Sequence, residues 1–328
     1  MAASNTATPV LLLTQVIIRH ADRAPFEINN EKALAVFHRG PGELSDEGIV
    51  NAGRQGQAFR QRYSVKKEDV KFRVSFVPRV VTSAANFATG LLGMTMDEVA
   101  NEVPMPKDKM LVPDVFSKEM HEYASTILGI DVPPTIDINS NLHHWLVLFE
   151  KSVEQEPSCK FKCHHELDEL IAYEANSKVE LTADEVEDMP EAKRLLFRFM
   201  MMLMGAGDFS NPAQLKRNVG ELADTLFHNM DQAIADPFAD GTKLFVFYTH
   251  DTNVVALSEI LGFISSFGDK GVDFSAAVAI ELWRDEGGNH VVKFVLKNGV
   301  NADFKEIEGS RGIEELKKAA NERMGNVA

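Results

Sequence analysis

β-Branched and leucine side chains run from Val10 to Ile18 with no turn residue among them. That pattern predicts a strand buried on both faces. A charged loop, Arg19-His20-Ala21-Asp22-Arg23-Ala24-Pro25, follows. Ser45 is a good helix N-cap with Asp46 and Glu47 in the first turn. Ile49, Ala52, Gly56, Phe59 and Tyr63 then recur at helical spacing. Val70–Ser75 predicts a second strand, and Pro78 opens a helix to about Leu92, with Gly93 as its stop. Strand, helix, strand, helix implies an α/β fold: a central, mostly parallel sheet flanked by helices.

From about residue 100 the texture changes. Prolines at 104, 106, 113, 133 and 134 break the chain into short pieces. Helical patterns follow over Glu191–Met204 and from Pro212 to about Ala235, the second with a stripe of Leu215, Val219, Leu222, Leu226 and Met230. Residues 101–235 are therefore expected to form a smaller, mainly helical cap inserted into an α/β domain made of 1–100 and 236–328. Sheet character returns at Lys243–Thr249, then a turn at His250-Asp251-Thr252-Asn253 and a helix from Val254 to Leu261. Ala276–Arg284 and His290–Lys297 predict a hairpin, and Gly312–Met324 an amphipathic surface helix.

Composition narrows the classes. The 328 residues are 45% hydrophobic, enough for one large or two ordinary domains with ample core. With 34 Lys+Arg against 49 Asp+Glu, the net charge of −15 argues against nucleic-acid and anionic-membrane partners. Two cysteines cannot make a disulfide scaffold. The Val10–Ile18 run is too short to span a bilayer, and it lacks the basic flank and cleavage site of a signal peptide. As it stands the chain is expected to be cytoplasmic, and secreted or lysosomal if a leader was removed.

Three segments carry candidate chemistry. In open α/β sheets ligands bind beyond the carboxyl ends of strands, where Arg19–Pro25 falls. Two arginines flanking a histidine suit a phosphate, because guanidiniums present paired donors and stay charged, while imidazole nitrogen is a nucleophile. The same loop, taken alone, also fits a row of solvated charges. His250-Asp251 follows the Leu244–Tyr248 strand, and adjacent parallel strands would bring both loops to one edge. Alone, that pair fits a capping contact, a metal-ligand pair, or a phosphate ligand beside a proton donor. In Arg73-Val74-Ser75-Phe76-Val77-Pro78-Arg79, an arginine strengthens a helix N-terminus that already favours anions.

Together these segments resemble the histidine acid phosphatase family, whose members include prostatic-type and lysosomal acid phosphatases and phytases. The family signature Arg-His-Gly-x-Arg-x-Pro is met by Arg19, His20, Arg23 and Pro25, with Ala21 replacing the usual glycine. The downstream His-Asp pair is His250-Asp251. Leu44-Ser45-Asp46-Glu47-Gly48 matches a further family motif, and Arg73, Ser75 and Arg79 match Arg-x-[Ser/Thr]-x-x-x-Arg. The resemblance implies His20 as nucleophile and Asp251 as general acid. It implies Arg19, Arg23, Arg73 and His250 as phosphate ligands, with Arg73 rather than Arg79 at the phosphate. No metal or cofactor is needed, the substrate is a small phosphomonoester, and a homodimer follows by family analogy. A phosphotransferase or phosphomutase, or a catalytically silent phosphoester-binding protein, are the competing readings.

Cys159 and Cys163, near His143-His144 and His164-His165, have zinc-like residue types without the second spaced pair of a zinc site. Phe197–Met204, apolar nearly all round, fits a buried core helix better than a lipid groove. Gathering Arg19, Arg23 and Arg73 in an acidic chain makes the site a positive island in a repelling field. Steering then disfavours highly phosphorylated substrates, inositol hexakisphosphate among them, and acidification relaxes the repulsion.

Overall fold

The computed structural model describes residues 8–28, 31–112, 117–131, 147–152, 154, 161, 164–236 and 241–326. In chain order the elements are β1 (Val10–Arg19), α1 (Glu31–Val36), α2 (Asp46–Tyr63), β2 (Val70–Val74), α3 (Pro78–Leu92), α4 (Met96–Glu102) and α5 (Lys118–Leu128). Next come α6 (His164–Glu174), α7 (Ala183–Met204), α8 (Pro212–Ala235), β3 (Leu244–Thr249) and α9 (Asp251–Leu261). The hairpin strands β4 (Ala277–Arg284) and β5 (His290–Lys297), then β6 (Lys305–Gly312) and α10 (Ile313–Arg323), complete the chain.

Among the described residues the strands form one sheet in the order β2-β3-β1-β4-β5-β6. The parallel expectation holds for β2, β3 and β1, whose carboxyl ends therefore meet at one edge. The pairings β1–β4, β4–β5 and β5–β6 are antiparallel, so the whole sheet is mixed. For β4–β5 the cause is connection length: the turn Asp285–Asn289 is too short for a parallel crossover, as the predicted hairpin requires.

Alternation along the strands builds two cores. Val16, Ile18, Val246 and Tyr248 face α2 and α3, while Ile17 and Phe247 face the remaining helices. The buried Gln15 is satisfied by α8: its amide donates to the Leu226 carbonyl (2.9 Å) and accepts from Asn229 (2.8 Å). Helix α8 thus lies directly against β1, and its stripe of Leu215, Val219, Leu222, Leu226 and Met230 shares one apolar cluster with the sheet.

Helix α7 begins eight residues before the Glu191 expected from sequence and runs through Pro190. Thr182 and Glu185 cap it reciprocally, which sets its start ahead of the proline. No helix of the described residues is long and apolar enough to cross a membrane.

Candidate active site

The site assembles where β1, β3 and β2 end. β1 delivers Arg19 and, in the loop beyond it, His20 and Arg23. β3 delivers His250 as the N-cap of α9, with Asp251 as the helix's first residue. Beyond β2 come Ser75 and then Arg79, the second residue of α3. Two helix N-termini therefore begin at this edge, each favouring negative charge.

The His20 ring has one defined tautomer. Its Nδ1 lies 2.9 Å from the Ala21 carbonyl oxygen, which only accepts, so Nδ1 carries the proton. Its Nε2 lies 3.2 Å from Arg79 Nε, which only donates, so Nε2 presents its lone pair. Burial, reinforced by Arg79, Arg19, His250 and Arg23, holds the His20 pKa well below the ordinary imidazole value. The shift favours the neutral ring, in keeping with an Nε2 that accepts from Arg79.

His250 shares a 3.1 Å hydrogen bond with the Ser75 hydroxyl, and its ring stands edge-on to His20 at 5.6 Å. Burial, then Arg79, pushes its pKa down to about 3. Arg19 pairs with Asp251 at 2.8 Å, donates to the Val272 carbonyl at 2.5 Å, and lies over the Phe274 ring. Burial alone raises the Asp251 pKa, but Arg19, His250 and Arg23 outweigh it and leave the carboxyl below its usual range. The Asp251 side chain remains 20% exposed and Arg19 only 4%, so the carboxylate is the more accessible partner of the pair.

Arg23 pairs with Asp168 of α6 at 2.6 Å, and both are buried. The Nε atoms of Arg19 and Arg23 are likewise buried, with no acceptor among the described residues. Arg79 has no carboxylate within ion-pair reach among them, and burial, with Arg23 next, draws its pKa down to about 10. Of the three guanidiniums here, Arg19 and Arg23 have an ion-paired carboxylate and Arg79 has none among the described residues, which leaves Arg79 available to an anion.

One assignment needs correction. Arg73 does not reach the site: its side chain lies on the strand face beside Phe247 and pairs with Asp108. The motif located both arginines, but Arg73 still belongs to β2, whereas Pro78 starts α3 and puts Arg79 at the helix N-terminus, over His20. The helix terminus noted in the sequence as favourable to anions is where Arg79 sits.

The Ala21 departure is accommodated. Ala21 keeps a negative φ, packs its methyl with Leu44 and Ala52, and donates its N–H to Ser83 Oγ at 3.1 Å. Asp22 turns away from the site, accepting from Asn51 at 2.8 Å, and its carbonyl accepts from the Ser45 N–H and hydroxyl. Asp168, Phe274 and Phe26, whose ring lies 3.9 Å from the Arg23 guanidinium, belong to no motif in the sequence, while Ser75 of the matched motif bonds His250. Nothing in the local sequence marks Asp168, which sits 145 residues from Arg23.

Among the described residues no group of three or more His, Cys, Asp or Glu is arranged to hold a metal ion. Cys159, Cys163, His143 and His144 lie outside them. A cavity of about 430 Å³ touches Arg19, Asp22 and Phe274 and is walled by α2, α6, α7 and residues 298–302, without His20 or Asp251 on its wall.

Comparison with known proteins decides the family. The sequence model of the histidine phosphatase superfamily (branch 2) matches residues 10–186 and 145–297. The chain belongs to this superfamily. A lysosomal acid phosphatase of Rattus norvegicus is 23% identical over 318 residues, covering 88% of this chain and 71% of its own. Among solved structures, the Hafnia alvei phytase in its apo form superposes with a TM-score of 0.64 at 14% identity, covering 97% of both chains. A Bifidobacterium longum multiple inositol polyphosphate phosphatase, in complex with inositol hexasulfate, gives a TM-score of 0.60 at 12% identity, covering 97% of this chain and 94% of that one. These two show that the branch 2 fold extends over nearly the whole chain.

Proposed function

We propose that the protein is a phosphomonoester hydrolase of the acid-phosphatase type, acting on small phosphomonoesters through a phosphohistidine at His20. The observation that carries this reading is the state of His20: neutral, anchored through Nδ1–H, with the Nε2 lone pair held among guanidiniums. Positioning and charge compensation do most of the work in phosphoryl transfer, and both are built in here.

In the proposed reaction Arg79 turns from Nε2 to a phosphate oxygen. Arg19 and Arg23 offer their unpaired Nε–H groups, and His250 completes the cradle. The Nε2 lone pair attacks phosphorus in line; the N–P bond forms as the P–O bond breaks, leaving the electron pair on the alcohol oxygen. A bound dianion takes over the charge of Arg19 and adds like charge beside Asp251, so the carboxyl gains a proton. Asp251 passes that proton to the departing oxygen. The carboxylate then accepts a proton from the water that attacks phosphorus, the N–P bond breaks, and phosphate leaves.

A single site guanidinium free of an ion pair among the described residues, together with the net charge of −15, favours simple monoesters over polyphosphorylated ones. The test is hydrolysis of aryl phosphates, sugar phosphates, nucleotides, lysophospholipids and inositol hexakisphosphate between acid and neutral pH. Turnover of simple monoesters, lost in His20→Ala, supports the reading. If no monoester is hydrolysed at any pH, or if His20→Ala keeps normal turnover, the reading is wrong. Phosphate transfer to added alcohols in place of hydrolysis would make it a transferase.

A further inference from the structure

We propose that Asp168, carried on α6 from the inserted segment, is the positioning residue of Arg23: it grips one edge of the guanidinium and leaves the other to phosphate. The proposal rests on the phosphatase reading and extends the phosphate site beyond the sheet edge. Arginine has five N–H donors in a rigid plane. Here Nη1 donates to the Ala24 carbonyl (2.8 Å) and to Asp168 Oδ2 (3.3 Å), and Nη2 donates to Asp168 Oδ1 (2.6 Å). The carboxylate therefore occupies the terminal edge. The lateral edge, formed by Nε and the second Nη2 hydrogen, stays open, and Nε is buried with no acceptor among the described residues. Two parallel donors on that edge match two phosphate oxygens.

Asp168 also holds what surrounds Arg23. Its Oδ2 accepts the Phe26 N–H at 2.7 Å, and the Phe26 ring covers the guanidinium at 3.9 Å while staying 44% exposed at the mouth. One carboxylate thus sets both the cation and the loop that closes over it. Burial raises the Asp168 pKa, but Arg23 overrides it and keeps the group ionised below its usual range. Without Asp168 a buried guanidinium loses its countercharge and its orientation together.

The experiment is a double-mutant cycle on Arg23→Ala and Asp168→Ala. It reads kcat and KM for p-nitrophenyl phosphate, and the Kd of inorganic phosphate by calorimetry. Asp168→Ala is expected to weaken phosphate binding and lower kcat/KM by about a hundredfold, with KM taking the larger share. In the Arg23→Ala background the same substitution should cost less than about threefold, because its effect runs through Arg23. Asp168→Asn, which keeps an acceptor for Phe26 and Arg23, should fall between and serves if the alanine variant does not fold. Equal losses in both backgrounds would overturn the proposal, as would tighter phosphate binding by Asp168→Ala, which would make Asp168 a competitor of the substrate. Calorimetry separates the two readings: phosphate binding with intact coupling but no turnover sinks only the catalytic one. A wild type that binds no phosphate sinks both.

Discussion

The state of the His20 ring is set by what surrounds it. An ordinary imidazole is half protonated near pH 6.5 and loses its lone pair in acid. Here burial and three neighbouring arginines keep it neutral, and two single-role partners choose its tautomer. The contrast between Arg79 and Arg73 tests this geometry. Arg79→Ala removes the guanidinium at Nε2 and is expected to raise KM and lower kcat/KM by about a hundredfold. Arg73→Ala breaks only the partly exposed pair with Asp108, so kcat/KM should stay within about twofold. Steady-state kinetics with p-nitrophenyl phosphate decide it, and the reverse order would restore Arg73 to the phosphate.

At the level of elements, the signature loop is shaped by the start of α2. Ser45 caps that helix by accepting the Gly48 N–H at 2.9 Å and at the same time donates to the Asp22 carbonyl. Gly48 is needed for the approach: a Cβ there would lie 2.0 Å from the Asp22 carbonyl oxygen. The matched Leu-Ser-x-x-Gly motif thus docks the start of α2 against the signature loop. Gly48→Ala must push the loop or the helix aside, an overpacking expected to cost about 1–3 kcal/mol. Thermal unfolding should show the loss, and kcat/KM should drop with it because His20 and Arg23 ride on that loop. An alanine variant with unchanged Tm and kinetics would contradict the close approach.

Over the whole molecule, acid function and acid stability oppose one another. His20, His164 and His250 are held neutral by burial, with pKa values pushed down to about 4 for His164 and about 3 for His250. Below pH 6.5 the unfolded chain takes up protons that the folded chain refuses, so stability falls as pH falls. Each such group adds a slope of up to ~1.4 kcal/mol per pH unit until its folded pKa is reached. Asp168 and Asp251, held low, add stability that is lost only at still lower pH. The Tm should therefore fall steadily from pH 7 to about pH 4.5. Inorganic phosphate, binding only the folded site, should raise it again. A flat profile over that range would show that the histidines are not buried as neutral groups.

What the sequence determined by itself was everything set by local pattern. That includes the buried first strand, the Ser45 cap, the proline-started α3, the hairpin, and the two loops that carry His20 and His250. The spacing of apolar residues and of capping groups encodes such features within a dozen positions. Tertiary structure decided what depends on direction and on distant partners. The pleat sent Arg73 to the strand face while the helix start aimed Arg79 at His20. Packing set β4 antiparallel against β1, across more than 250 residues of chain, and so made the sheet mixed. The pairing of Arg23 with Asp168, across 145 residues, exists only because α6 folds back over the sheet edge. Spacing along the chain carries no trace of such a contact, since only packing brings those two groups together.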